Sequence, residues 1–461
     1  MQTQCTSEQL EFSSVGRRRV VAAFDGGQVS SDCGALLLKK TDEAIRLIDR
    51  LADCFIDQRS QSSVEHSVRT LVAQRVFGIA AGYEDLNDHD TLRSDPLWGV
   101  VLGKLEAKRR GCAPLAGKST LNRLELSLAE QPTRYHKIGH EPEAIERLFV
   151  ELFLEAHGRA PRQIVLDLDA TDDPLHGEQE GRFFHGYYDA YCYLPLYIFC
   201  GRHLLVAKLR RSNIDASAGA QEEVERVVEQ IRSRWPNVRI ILRADSGFAR
   251  DSLMSWCESH DVDYVFGLAR NKRLEKRLST AMREAEREAR RTGKPARVFR
   301  DFRYSTLDSW SRRRRVIGKA EHMLDKANPR YIVTSLPQAR WEARRLYERL
   351  YCARGEMENR IKDAQLELFA DRTSCHSFRA NQLRLWFASF AYVLVEALRR
   401  LGLKGTELAV ATAGTIRLKL LKIGAVITIS VRRVKLAMSS FHPSKREFMT
   451  AFEALGAAAR A

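Results

Sequence analysis

The 461-residue sequence predicts an α/β protein, an open sheet flanked by helices, with a mainly helical N-terminal domain and a strand-rich insertion. Three observations predict it. Ile164-Val165-Leu166-Asp167-Leu168-Asp169 is an apolar run that turns polar at its C-terminal end, where Thr171-Asp172-Asp173-Pro174 stops it. From there to Leu268 the pattern reads strand, strand, strand, helix, strand, helix, strand. Upstream, Val64, Val68, Leu71, Val72, Val76 and Ile79 recur at three- and four-residue steps, the period of a helix.

In chain order, residues 1 to about 20 turn from polar to basic, ending in Arg17-Arg18-Arg19, and read as a loosely ordered arm. Residues 1–155 are taken together as a helical domain. Arg69, Arg75, Arg93, Lys104, Lys108, Arg109, Arg110, Lys118 and Arg123 stand among its helices, so it is expected to bind DNA. The alternative is a structural domain with a solvated basic face. Gly111 to Ser119 imitates a phosphate-binding loop but has five residues between its glycines, where that loop has four. It also follows a basic helix end, so no nucleotide cofactor is expected.

After the strand at Ile164, the segments 182–188, 191–200 and 203–209 read as further strands of the same sheet. Residues 220–235 put Val224, Val227, Val228 and Ile231 on one helix face and stop at Pro236. The strand 238–242 leads to Asp245 in Arg-Ala-Asp-Ser-Gly-Phe, where Gly247 allows a sharp exit into a helix at 250–259. A final strand at 264–268 closes the first part of the core, 156–269.

The composition shifts over 270–340, where a charged helix and strand signals surround Trp310-Ser311-Arg312-Arg313-Arg314-Arg315. This insertion is expected to touch a phosphate backbone. In 341–402, Tyr347, Tyr351, Arg354, Glu358, Ile361 and Gln365 share one helical face, followed by a greasy helix at 381–401. In 403–461, alternation at Ile416, Leu418 and Leu420, then Val426, Ile427, Ile429 and Val431, with Arg432, Arg433 and Lys435, predicts a basic hairpin and then a helix.

Seventy-five Lys and Arg against fifty-nine Asp and Glu give a net charge of +16 and a pI near 9.5, which favours a polyanionic partner. Nine scattered cysteines with no Cys-x-x-Cys argue against a disulfide framework or a zinc ribbon. The polar N-terminus suggests no secretion, and the 385–398 segment is too short and interrupted to span a bilayer. The expectation is a cytoplasmic, nucleoid-associated protein with no membrane partner.

Asp167 and Asp169 fall on one face of their strand, and two acids on a buried face call for a cation. Two chemistries fit. Asp-x-Asp-x-Thr resembles the nucleophile loop of haloacid-dehalogenase-type phosphohydrolases, with Asp167 as nucleophile and Asp169 as acid and base around Mg²⁺. The other takes one acid from each of three places, Asp169, Asp245 and Glu358, to hold two Mg²⁺ ions for an in-line phosphodiester displacement, with Mn²⁺ able to substitute. Aspartates suit strand ends, and the longer Glu reaches in from a helix.

In these residues the chain resembles the DDE transposases of bacterial insertion sequences, in the RNase H-like, retroviral-integrase-like group, most of all insertion sequence family 1380. The resemblance rests on Asp-Ala-Thr after the first strand, on Ala-Asp-Ser-Gly-Phe, and on the Y-x2-R-x3-E-x6-K signature at Tyr351, Arg354 and Glu358. The signature lysine position holds Gln365, with Lys362 one turn away as a substitute. The resemblance implies an RNase H-like core of mixed sheet and flanking helices, with catalytic, metal-binding Asp169, Asp245 and Glu358. It implies DNA contacts from Tyr351, Arg354, Lys362, Arg313 and Arg314, and a Trp310 that packs on a displaced base. Asp167 is then either a supporting group behind the metal ligands or, with the register shifted by two, itself the first ligand in place of Asp169. The partners implied are double-stranded DNA, as transposon ends and target, and a second copy in a homodimer on paired ends. A catalytically decayed DNA-binding protein is the third reading.

Overall fold

Strand β1 (Gln163–Ala170) is the third strand of an eight-stranded mixed sheet in the computed structural model, which describes residues 9–129 and 132–460. β2 (Leu196–Cys200) and β3 (His203–Lys208) continue from it as an antiparallel meander. β4 (Arg239–Ala244) and β5 (Val262–Leu268) follow, β4 parallel to β1 and β5 parallel to β4. Three more strands, β6 (Ala296–Tyr304), β7 (Arg314–His322) and β8 (Arg330–Thr334), extend the sheet antiparallel from β5, giving the order β3-β2-β1-β4-β5-β8-β7-β6. The strand at 264–268 is therefore not the last of its sheet. The strands of the 270–340 insertion pair with it, which covers the otherwise bare polar edge of β5.

Alternation along each strand sorts the side chains into two layers. Ile164, Leu166 and Leu168 of β1, with Ile240 and Leu242 of β4, face a core closed by four helices: α1 (Pro142–Glu155), α2 (Ala220–Arg234), α3 (Asp251–Ser259) and α4 (Lys272–Thr292). Leu166 and Leu168 are fully buried, each contributing about 1.5–3 kcal/mol. Val165, Ile241 and Val265 face the other way, against Leu346, Tyr347 and Leu350. Asp167, Asp169, Arg243 and Asp245 have the parity of this second layer.

The 191–200 run is not one strand. Pro195 lacks the N–H a ladder needs, and the run splits there. Ala190–Tyr193 joins Phe183–His185 and Asp173–Pro174 in a separate three-stranded sheet, so these are not strands of the main one.

The chain divides into two units, His140–Ser389, which holds the eight-stranded sheet, and Met1–Gly139 with Phe390–Ala461. This division differs from the five segments expected from sequence. α1 belongs with the sheet because its Val150, Phe153 and Leu154 pack under it. In the other unit, Asp32 accepts hydrogen bonds from the Tyr83 hydroxyl (2.5 Å), the Trp98 indole (3.2 Å) and the Lys422 ammonium (2.8 Å), tying its early and late segments together. The described part of the expected arm is an exposed antiparallel hairpin, Leu10–Val15 with Arg18–Ala22, while residues 1–8 lie outside the described residues. Ile416 and Leu420 lie in helical turns and not in a strand. The basic hairpin is Ala425–Ser430 with Arg433–Met438, joined by Val29–Ser30. No helix among the described residues is long and apolar enough to cross a membrane.

Burial, aided by nearby cations, pushes His66 and His140 down to about 4 and His89 down to about 3. These imidazoles stay neutral in the fold, whereas an unfolded chain takes up protons near pH 6.5. Their contribution to stability is full above about 6.5 and falls as the pH drops toward about 4. Urea midpoints measured from pH 7 to 4.5 should decline; a flat profile would contradict this.

Candidate active site

β1 and β4 are parallel neighbours in register, with Asp167 beside Arg243. Both lie on the second layer, where Asp167 is 1% exposed. The Arg243 guanidinium grips both Asp167 oxygens, Nη2 to Oδ2 at 2.8 Å, and its Nη1 donates to the Leu350 carbonyl at 2.6 Å. Asp167 is thus a sealed structural acid with both oxygens engaged.

Two residues on, Asp169 stands where β1 ends, its side chain 16% exposed and its Oδ1 accepting the Ala170 N–H at 3.0 Å. Asp245 follows β4 on the same layer and caps the turn Ser246–Phe248, its Oδ1 accepting the Gly247 N–H at 2.8 Å. Burial, the largest cause, together with the charges of Asp245 and Glu358, pushes the Asp169 carboxyl up to about 7 against the opposing pull of Arg354. The strand ends and the helix therefore bring Asp169, Asp245 and Glu358 within electrostatic reach of one another.

The segment that supplies Glu358 is not one regular helix. Leu346–Tyr351 is a π-helical turn and Cys352–Arg354 a 3₁₀ turn, before α5 (Gly355–Leu368) begins. Such irregular turns re-aim side chains. Arg354 enters the site there, its Nη2 2.7 Å from Glu358 Oε1 and its Nη1 3.6 Å from Asp169 Oδ2. Burial pushes the Tyr351 hydroxyl above its usual range, with the Arg354 charge opposing the rise and the Asp245 charge adding to it.

Gly267 of β5 makes room for this arrangement. A Cβ on it would lie 2.7 Å from the Tyr351 hydroxyl and 2.8 Å from the Ser246 backbone nitrogen. Gly267→Ala is expected to cost about 1–3 kcal/mol and to displace the Asp245 turn. The check is the thermal midpoint, and a midpoint equal to wild type would show that the strand can yield.

The remaining sequence-expected residues are placed differently. Arg314 is 2% exposed, with its guanidinium between Asp251 (2.5 Å) and Glu258 (2.7 Å). It clamps β7 to α3, which corrects the expectation of a DNA contact. Trp310 packs against the core beneath α1 to α4, edge-on to Tyr304, with Arg314 over its ring at 5.6 Å. It is partly buried and belongs to the layer opposite the acids. Arg313 is exposed, and so is Lys362, one turn beyond Glu358. Gln365 turns away to donate to the fully buried Asp173 at 2.8 Å. Burial pushes Asp173 well above the usual carboxylate range, so a neutral amide suits this place better than the signature lysine.

Sequence reasoning missed Arg243 and Gly267. Arg243 was open to discovery, since it sits two residues before Asp245 and alternation puts both on one face. A glycine inside an apolar strand signals close approach of another group, here Tyr351.

Three carboxylates on two strand ends and a helix are the hard-oxygen donor set that suits Mg²⁺. Among the described residues, no three acids, histidines or cysteines are gathered closely enough to hold an ion as they stand. The cation between Asp169 and Glu358 is Arg354. The donor chemistry fits a metal, and the spacing is that of an arginine-bridged cluster.

The family described as Transposase DDE domain group 1 matches the chain over residues 12–460. No curated protein is significantly similar to it. Among solved structures, a chain of a piggyBac transposase synaptic complex with hairpin DNA aligns at 10% identity, covering 85% of this chain and 80% of that one, with a TM-score of 0.39. That score is too low to carry an argument.

Proposed function

Because the chain belongs to the Transposase DDE domain group 1 family, we propose that it is a DNA transposase that binds the terminal inverted repeats of an insertion sequence and cleaves and joins DNA there. The single observation that supports the site assignment is that the Arg354 guanidinium lies between Asp169, at the end of β1, and Glu358, on α5, with Asp245 near enough for its charge to help raise the Asp169 carboxyl. Acids at the carboxyl ends of two parallel strands, in a mixed sheet with helices on its faces, support an RNase H-like core.

In this reading Asp169, Asp245 and Glu358 hold Mg²⁺, which when bound supplies activation of water or a 3′-hydroxyl and stabilises the leaving oxygen. The chain's own groups set the geometry. The Ala170 and Gly247 N–H groups fix the two aspartate rotamers. Arg354 and Tyr351 lie beside the acids, where a DNA phosphate is drawn to the guanidinium. The net charge of +16 favours the duplex as a partner, with a homodimer on paired ends as the working assembly.

The sealed Asp167 weighs against the phosphohydrolase reading, because a nucleophile must reach its substrate. The test uses the purified chain and a duplex carrying the repeats that border its reading frame. Strand breaks at the repeat ends with Mg²⁺, and none with EDTA, are expected. Duplex binding without metal-dependent breaks would favour the decayed, binding-only reading.

A further inference from the structure

The guanidinium of Arg354 does what a metal would do in this site. It lies 2.7 Å from Glu358 and 3.6 Å from Asp169, on a side chain only 21% exposed, and it enters from the irregular turns before α5. Glu358 is itself 44% exposed, and Arg354 is the partner that holds its carboxylate on the side of Asp169. We propose that Arg354 is a resident counter-ion that competes with divalent cations for Asp169 and Glu358, so that the metal-free site is locked until an anion such as a DNA phosphate draws the guanidinium away.

The proposal rests on the reading of Asp169, Asp245 and Glu358 as metal ligands and adds a control step to it. A dication and a guanidinium cannot share two carboxylates without strong repulsion between the two cations. Phosphate is the natural competitor, since a guanidinium binds it as a two-pronged partner, as it does a carboxylate. By linkage, whatever removes Arg354 from the acids raises metal affinity by the same factor that metal raises the affinity for the competitor. Metal-dependent chemistry would then be suppressed in the free protein and released on DNA.

The test measures Mn²⁺ binding to the full chain without DNA, by calorimetry and by the electron paramagnetic resonance of the free ion. Arg354→Ala should bind Mn²⁺ tighter than wild type by on the order of tenfold or more. Arg354→Lys, which keeps the charge, should stay near wild type, and Arg354→Ala with Asp169→Asn should lose the gain. Mn²⁺ should also raise the thermal midpoint of Arg354→Ala more than that of wild type, which shows that the variant is folded and loaded at the site. Unchanged or weaker binding by Arg354→Ala, with wild-type binding still abolished by Asp169→Asn, would overturn the lock and leave the metal site standing. Mn²⁺ binding in no variant, or binding indifferent to Asp169→Asn, would overturn the ligand assignment and the lock together.

Discussion

Asp169→Asn, Asp245→Asn and Glu358→Gln should each lower Mg²⁺-dependent cleavage of repeat-end DNA by about a thousandfold or more. Each amide removes a metal-binding charge; a thousandfold loss is about 4 kcal/mol of transition-state stabilisation, the scale of metal catalysis. Duplex binding should persist, because the exposed basic surface is untouched. Stability should also hold. Asp169→Asn keeps an acceptor for the Ala170 N–H and removes a carboxyl that burial, helped by the charges of Asp245 and Glu358, pushes up to about 7. The thermal midpoint of this variant should therefore equal or exceed that of the metal-free wild type. Cleavage within tenfold of wild type in any of the three variants would remove that residue from the metal site.

The sequence made the site legible where chemistry follows alternation. Asp167 and Asp169 share a face because side chains alternate, and the strand at 238–242 put Asp245 at a strand end, although its parallel pairing with β1 came only with the fold. It could not say which aspartate was sealed, because that depends on Arg243 in the adjacent strand, a contact of tertiary origin. The Glu358 face was legible at a helical period, although π and 3₁₀ turns replace the α-helix before it.

The fold was less legible where paired edges decide it. The strand signals of the insertion were visible, but their antiparallel pairing onto β5 was not, since composition alone suggested a basic insertion against a phosphate backbone. Arg314 misled for a related reason. An arginine run reads as a phosphate patch, yet Arg314 opens β7 and is buried against Asp251 and Glu258, while Arg313, just before the strand, stays exposed.

Asp167→Ala and Arg243→Ala should each destabilise the chain by about 3–5 kcal/mol, because each leaves one buried charge without its partner. Arg243→Ala should cost more, since it also strips the Leu350 carbonyl of its donor and loosens the π turn that leads to Arg354. The double variant Asp167→Leu with Arg243→Met removes both charges and keeps apolar volume between β1 and β4, so it should recover most of the loss. Its cleavage rate separates the two chemistries of the acidic strand. An Asp167 that acts only through packing predicts that the refolded double variant still cuts DNA, with its rate limited by how well Leu350 and Arg354 are held. A nucleophilic Asp167 predicts a dead enzyme at full stability. Thermal midpoints and cleavage rates on the same four proteins therefore decide whether this buried pair supports the site or belongs to its chemistry.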